Sequence, residues 1–238
     1  MSVSIGILAG MGPRSTAPFI DSLVTECQKI YGAKHDMDFP KMHIISLPTP
    51  FWPGHKIDDT AMIAHLKQGI KDLVTAKVSL ISIPCNLAHC YFPEILAASD
   101  NIPVLHIAKS AIDGLPNSVR RVALLATEPT LDAGFYQQRL HTEGKVVIDS
   151  EELRSLTTML IQRVKGVGYK EGQVQELWQQ MIVIMQQQDV DAVLIACTDL
   201  SPLADKLPTD WVVIDTAASL ASATIRRYRD VLSFNSTL

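Results

Sequence analysis

Several things are scarce in this 238-residue sequence, and each scarcity removes a class of function. Charge is modest and nearly balanced: the formal net charge is −4, and no basic patch is interleaved with aromatic residues. That gives no electrostatic footprint for nucleic acid. No uninterrupted apolar run reaches the ~18 residues a membrane-spanning helix needs, so no membrane span is expected. The opening "MSVSIGILAGMGP" is short and lacks the basic leader of a secretory signal. Cysteine is limited to Cys27, Cys85, Cys90 and Cys197. Four thiols in a chain this long make no disulfide scaffold, and reduced cysteines in the cytoplasm are expected. Cys85, His89 and Cys90 lie close in sequence, but no CxxC or HxxxH spacing accompanies them, so no metal is expected.

Apolar residues are plentiful. At 47% hydrophobic and 19% charged, the chain can bury a substantial core. Short runs rich in Val, Ile and Leu predict strands at 4–10, 41–47, 78–84, 102–107, 120–127, 145–150, 191–197 and 210–215. These runs are apolar on both faces, as in parallel sheets covered by helices. Amphipathic stretches alternate with them at 16–31, 60–76, 88–99, 130–140, 151–165, 172–188 and 217–231. The alternation predicts an open α/β fold.

Within this pattern the sequence repeats itself. "SIGILAGM" matches "RVALLATE" at an offset of 117 residues, "VSLISIPCN" matches "DAVLIACTD" at 112, and "PVLHIAKSA" matches "VVIDTAASL" at 109. The expected architecture is therefore two similar pseudo-symmetric α/β domains, 1–114 and 115–238. Each would hold a roughly four-stranded, mostly parallel sheet flanked by helices, with the active site between them. The last helix, about 217–231, is expected to pack back on the first domain.

The repeat also pairs two cysteines. "SIPCNLAH" (82–89) and "IACTDLS" (195–201) each end an apolar run in a cysteine followed by a small polar residue. In α/β sheets, ligands bind beyond the carboxyl ends of the strands. A thiol placed there before a helix N-terminus can have its pKa lowered from ~8.5 toward ~7. A single such cysteine is most simply a core residue; two in matching positions point to function. A thiolate on one face of a stereocentre and a thiol on the other can invert it by proton transfer. Asn86, Thr198 and nearby backbone N–H groups could hold the substrate carboxylate. His89 and Asp199 could tune the thiols or simply cap helices. Cys27 and Cys90 are read as structural.

Other features are less specific. "GILAGMGP" (6–13) could let the backbone approach an anion at Gly10 and Gly12, or be a tight βα turn. A dinucleotide fingerprint fits it poorly, because Pro13 intrudes and the third glycine position is Ser15. Lys165, at a helix end before Gly166, reads on its own as a solvated lysine favoured by the helix dipole. "PTPFWPGH" (48–55) is a loop long enough to serve as a lid or an interface.

Taken in order, "GILAGMGP", "PCNLAH", "RVALLAT" and "ACTDL" resemble the aspartate/glutamate racemase family over nearly the whole chain. The resemblance implies two α/β domains, racemisation without pyridoxal phosphate or metal, and a homodimer. It implies Cys85 and Cys197 as the acid/base pair. It further implies that Met11, Gly12, Asn86, Thr127 and Thr198 hold the α-carboxylate and amino end, and that Lys165 contacts a side-chain carboxylate. This sequence departs from the family pattern in places. Leu87, a substrate-binding position, replaces the usual threonine, and Asp199 replaces glutamate. The loop at 48–55 offers only His55, with Lys56 beyond it, to meet an acidic side chain. These departures open the expected substrates to a broader set of amino acids than aspartate and glutamate. Two further readings remain at this level: a two-cysteine dicarboxylate isomerase of the maleate type, and a catalytically silent amino-acid-binding protein.

Overall fold

The computed structural model describes residues 3–235. They divide into two compact units. The first comprises the chain up to Pro50, Ile57–Ile107 and the segment from Ala217 onward. The second comprises Phe51–Lys56 and Ala108–Thr216.

In the first unit, β1 (Ser4–Ala9), β2 (Lys41–Ser46) and β3 (Leu80–Ser82) form a parallel sheet in the order β2-β1-β3. Helices α1 (Thr16–Tyr31), α2 (Asp59–Thr75) and α3 (Phe92–Ala98) connect or follow these strands, and α4 (Ile107–Ile112) leads out of the unit. Two ends show why the helices stop and start where they do. Gly32 adopts φ 73° and returns its N–H to the Cys27 and Gln28 carbonyls, closing α1. Asp58 accepts the Ala61 N–H at 3.0 Å and opens α2.

The second unit carries β4 (Arg121–Ala126), β5 (Val146–Ile148), β6 (Ala192–Ala196) and β7 (Val212–Asp215), all parallel, in the order β5-β4-β6-β7. Its helices are α5 (Glu128–Asp132), α6 (Phe135–Thr142), α7 (Glu151–Val167) and α8 (Gly172–Gln187). Ser150 caps α7 by accepting the Leu153 N–H, and Glu151 and Glu152 complement the first turn. The last helix, α9 (Thr216–Asn235), follows β7.

The inner strands β1, β4 and β6 are buried on both faces against helices, while the edge strand β2 is partly exposed. In the first unit Ile5 and Ile7 pack with Phe19, Leu23 and Cys27 of α1 and with Leu220, Ala221, Ile225 and Tyr228 of α9. In the second unit Leu125, Val193 and Ile195 meet α7 and α8, with Trp178 fully buried. On the opposite face Val122, Leu124 and Leu194 meet Tyr136 and Leu140 of α6.

The internal repeat is visible in the strand registers. Ile5 lies opposite Leu80, and Val122, its repeat partner, lies opposite Ala192. Ile81 lies opposite Val104, and Val193 lies opposite Val213. These pairings follow the sequence offsets of 117, 112 and 109.

Three local expectations change. The run 102–107 is not a full strand: only Val104 bridges Ile81, so the first sheet has three strands and one isolated bridge. Pro103 can accept the Ile81 N–H but has no N–H of its own, and α4 begins four residues later. The expected helix 130–140 breaks at Gly134, whose φ of 70° ends α5 and starts α6. The expected helix 88–99 begins as a 3-10 helix, Leu87–Tyr91, before α3. Among the described residues, no helix is long and apolar enough to cross a membrane. Among the same residues, no group of three or more His, Cys, Asp or Glu is placed to hold a metal.

Candidate functional site

Cys85 sits beyond the carboxyl end of β3, separated from it by Ile83 and Pro84. Its N–H returns to the Ile83 carbonyl at 2.8 Å, a tight turn that ends the strand. Cys197 follows β6 directly, and its carbonyl accepts the Leu200 N–H at 2.9 Å. Both cysteines are nearly buried, at 7% and 8% exposure. None of the four cysteines is in a disulfide. The chain after each thiol is a short 3-10 helix, Leu87–Tyr91 in one case and Ser201–Lys206 in the other. The full-length α-helix N-terminus expected behind each cysteine is therefore absent. The partial positive charge available there is that of local backbone N–H groups rather than a summed macrodipole.

The strand before each cysteine is buttressed by a threonine. In the first unit, the Thr224 hydroxyl of α9 donates to the Leu220 carbonyl at 2.7 Å and accepts from the Ser82 hydroxyl at 3.0 Å, and both Thr224 and Ser82 are fully buried. In the second unit, the Thr216 hydroxyl donates to the Ile195 carbonyl at 2.9 Å. Asn86 and Thr198, each immediately after a cysteine, are buried beside them.

His89 holds the first cysteine's backbone. Its Nδ1–H donates to the Cys85 carbonyl at 2.8 Å, and its Nε2 accepts the Ile107 N–H at 3.1 Å. This pair of contacts fixes a neutral imidazole with the proton on Nδ1. Burial pushes the His89 pKa down to about 4; the Cys85 and Leu105 carbonyls, which favour the protonated ring, oppose this only in part. The ring stacks on Phe92 at 5.5 Å and leans on His106 at 5.0 Å, a neighbour with no signal in the sequence. His89 thus braces Cys85 through the main chain.

The second cysteine has an ionic neighbour instead. Asp199 Oδ2 lies 2.8 Å from Lys165 Nζ of α7, with the side chains only 5% and 15% exposed. Lys165 is therefore not the solvated lysine of the sequence reading, and Asp199 is not a helix cap. The ammonium also lies 5.9 Å from the centre of the Phe51 ring. Phe51 belongs to the loop at 48–55, which α7 anchors through a 2.9 Å bond from Gln162 Nε2 to the Pro53 carbonyl. His55 and Lys56 in the same segment are exposed. The loop's aromatic residue, not its bases, is what meets the lysine.

The remaining candidates divide. In the glycine-rich loop, Gly10 has φ 91°, and a Cβ there would sit 2.5 Å from the Leu47 N. Gly10 therefore serves a close backbone approach between β1 and β2. Its N–H is taken by the Thr16 hydroxyl at 3.1 Å, while the Ser15 hydroxyl donates to the Gly12 carbonyl at 2.8 Å. Met11 is half-buried and Gly12 buried in this loop. Leu87 is buried at the start of the 3-10 helix after Cys85. Thr127 precedes α5, with its hydroxyl 2.9 Å from that of Thr130. Cys27 is fully buried in the first core, and burial raises its pKa despite a hydrogen bond with Tyr31, as suits an inert thiol.

Comparison with known proteins places this geometry. The family model for Asp/Glu/Hydantoin racemase matches residues 8–224. The chain belongs to that family. It is 38% identical over 224 residues to the broad specificity amino-acid racemase RacX of Bacillus subtilis (strain 168), covering 94% of this chain and 97% of that one. It superposes on the aspartate racemase of Picrophilus torridus with a TM-score of 0.79 at 25% identity, covering 94% of each chain. The glutamate racemase of Francisella tularensis, solved in complex with D-glutamate, shares the fold with a TM-score of 0.72 at 16% identity, covering all of this chain and 83% of that one. The family's α/β fold, with its two parallel sheets, is the one seen here.

Proposed function

We propose that this protein is an amino-acid racemase, an isomerase that inverts Cα without a cofactor, using Cys85 and Cys197 as its two acid/base groups. The observation that carries the reading is the equivalence of the two thiols. Each stands just beyond the carboxyl end of a corresponding strand, β3 or β6, in sheets whose registers follow one internal repeat. Family membership and the RacX likeness support the same reading.

In this mechanism one cysteine enters as thiolate and the other as thiol. The thiolate takes the Cα proton from one face and becomes a thiol. The electron pair left on Cα delocalises into the substrate carboxylate, and the second thiol then delivers its proton to the opposite face. One proton is gained and one lost by the protein, so the thiols end with their roles exchanged, ready for the reverse substrate. Asn86 and Thr198 would donate to the carboxylate as charge builds there. Met11, Gly12, Leu87 and Thr127 would complete the substrate's surroundings. Thiols that must ionise and stay unoxidised suit a reducing compartment, so the cytoplasm is the proposed location. A homodimer of the 26.2 kDa chain is the proposed assembly, to be checked by light scattering.

The test is racemisation in deuterium oxide. Conversion of a single L-amino acid should proceed with deuterium appearing at Cα of the product. Conversion with Cα protium fully retained when either thiol is replaced by serine, at undiminished rate, would overturn the assignment.

A further inference from the structure

A cavity of about 460 Å³ lies on α7 and α8, wholly within the second unit and lined by neither cysteine. That is the size of a small-molecule site. Its lining carries one cation, Arg163, one anion, Glu176, and the amides of Gln162, Gln173 and Gln180, with Met159 as apolar surface. Arg163 and Glu176 do not pair with each other, and neither is in an ion pair among the described residues. Opposite charges that share a cavity and leave each other open suit a small zwitterion. A dianion would meet Glu176 and a dication Arg163, each a like charge. Amides satisfy an uncharged polar side chain as donors and acceptors.

Gln162 connects this cavity to the loop at 48–55. It lines the cavity, and its Nε2 donates to the Pro53 carbonyl at 2.9 Å. The loop comes so close that a Cβ on Gly54, at φ 78°, would fall 2.9 Å from that nitrogen. Three residues further along α7, Lys165 meets Phe51 of the same loop and pairs with Asp199, two residues after Cys197. An ionised carboxylate draws an N–H more strongly than a neutral carbonyl does, so a carboxylate in the cavity competes with Pro53 for Gln162.

We propose that the cavity on α7 and α8 is a regulatory site for a free amino acid with an uncharged polar side chain. Arg163 holds its carboxylate, Glu176 holds its ammonium, and its occupancy lowers turnover by taking the Gln162 amide from Pro53. The site stands apart from the racemase reading; its effect on turnover rests on that reading.

Isothermal titration calorimetry with L-glutamine reads the site directly. The wild type should bind one more equivalent per chain than Arg163→Met or Glu176→Gln, both changes at exposed positions that leave the core untouched. N-acetyl-L-glutamine, which lacks the ammonium, should not fill that site. Equal stoichiometry in the wild type and both variants, or equal binding of the acetylated probe, overturns the site. In the second arm, L-methionine racemisation by the wild type should lose kcat by about fivefold or more as glutamine saturates, the lower end of ordinary coupling between two sites, with KM little changed. Arg163→Met and Glu176→Gln should show no such loss. Gln162→Leu should still bind the extra equivalent, yet its kcat should not respond to glutamine. An unresponsive wild-type kcat, or a rise in KM alone, overturns the regulation. An equal fall of kcat in the wild type and Gln162→Leu overturns the route through Pro53. Absence of racemisation with any common amino acid overturns the racemase reading and the effect on turnover together, while calorimetry still decides the site.

Discussion

The two cysteines stand at equivalent places in the repeat, yet their surroundings are unlike. Behind Cys85 is a neutral brace: a buried histidine that cannot take a proton until about pH 4 and holds the main chain through its ring nitrogens. Two residues after Cys197 is an ionic group instead, Asp199 paired with Lys165. In the proposed mechanism, symmetry of position would carry the proton chemistry, which needs two similar groups. Asymmetry of surroundings would serve what a racemase must also do, which is to recognise a substrate whose groups about Cα are all different. A protein built from a repeated half can keep the first while letting the second diverge.

The largest expected effect tests the symmetry. Cys85→Ser and Cys197→Ser should each lower kcat/KM by about 10²–10⁴-fold, the usual range for loss of one acid/base group. Cys90→Ser and Cys27→Ala should keep turnover near the wild-type level, as assayed by polarimetry. A large loss in only one of the first two variants would break the equivalence of the thiols.

The next effect tests the neutral brace. The folded pKa of His89 lies below the ~6.5 of an unperturbed histidine, so the unfolded chain binds a proton first as pH falls. Stability linked to His89 is full above about pH 6.5 and drains away as pH drops toward 4, by about 3 kcal/mol in all. Urea midpoints measured across that window should fall in the wild type. In His89→Gln this part of the acid sensitivity should be missing, and kcat should drop more than KM changes if the ring positions Cys85.

A smaller effect compares the threonine buttresses. Thr224→Val leaves the buried Ser82 hydroxyl short of a partner and should cost about 1–3 kcal/mol. Thr216→Val removes a bond to a strand carbonyl and should cost nearer 1 kcal/mol. Smallest of all, Phe51→Leu keeps the apolar cover of Lys165 but removes the ring face, worth about 0.5–1 kcal/mol. Denaturant titration would read all three.

Much of this was legible in the sequence because it is written in local pattern. Apolar runs such as "ALLA" and "VLIA" are strands wherever they fall, and repetition at three near-constant offsets marks duplicated topology. The placement of Cys85 and Cys197 beyond strand ends is legible for the same reason: position at a strand end is a one-dimensional property. What escaped is what depends on partners far along the chain. Nothing near Lys165 names Asp199, 34 residues on, and the isolated residue reads as solvated. Nothing near residue 102 says that Val104 alone will reach the sheet, although Pro103 argues against a longer ladder. The short helix α4 was missed because its six residues are too few to show a helical period. The 3-10 start after Cys85 is a matter of backbone geometry that apolar spacing does not report.

The central claim is that each thiol serves one face of the same carbon. β-Chloroalanine isolates that step, because removal of its Cα proton expels chloride, and the enamine left behind hydrolyses to pyruvate and ammonia without any second proton transfer to Cα. Pyruvate release should occur with both enantiomers in the wild type, with only one enantiomer in Cys85→Ala, and with only the other in Cys197→Ala. Release from both enantiomers by either variant, or from the same enantiomer by both, would contradict the account.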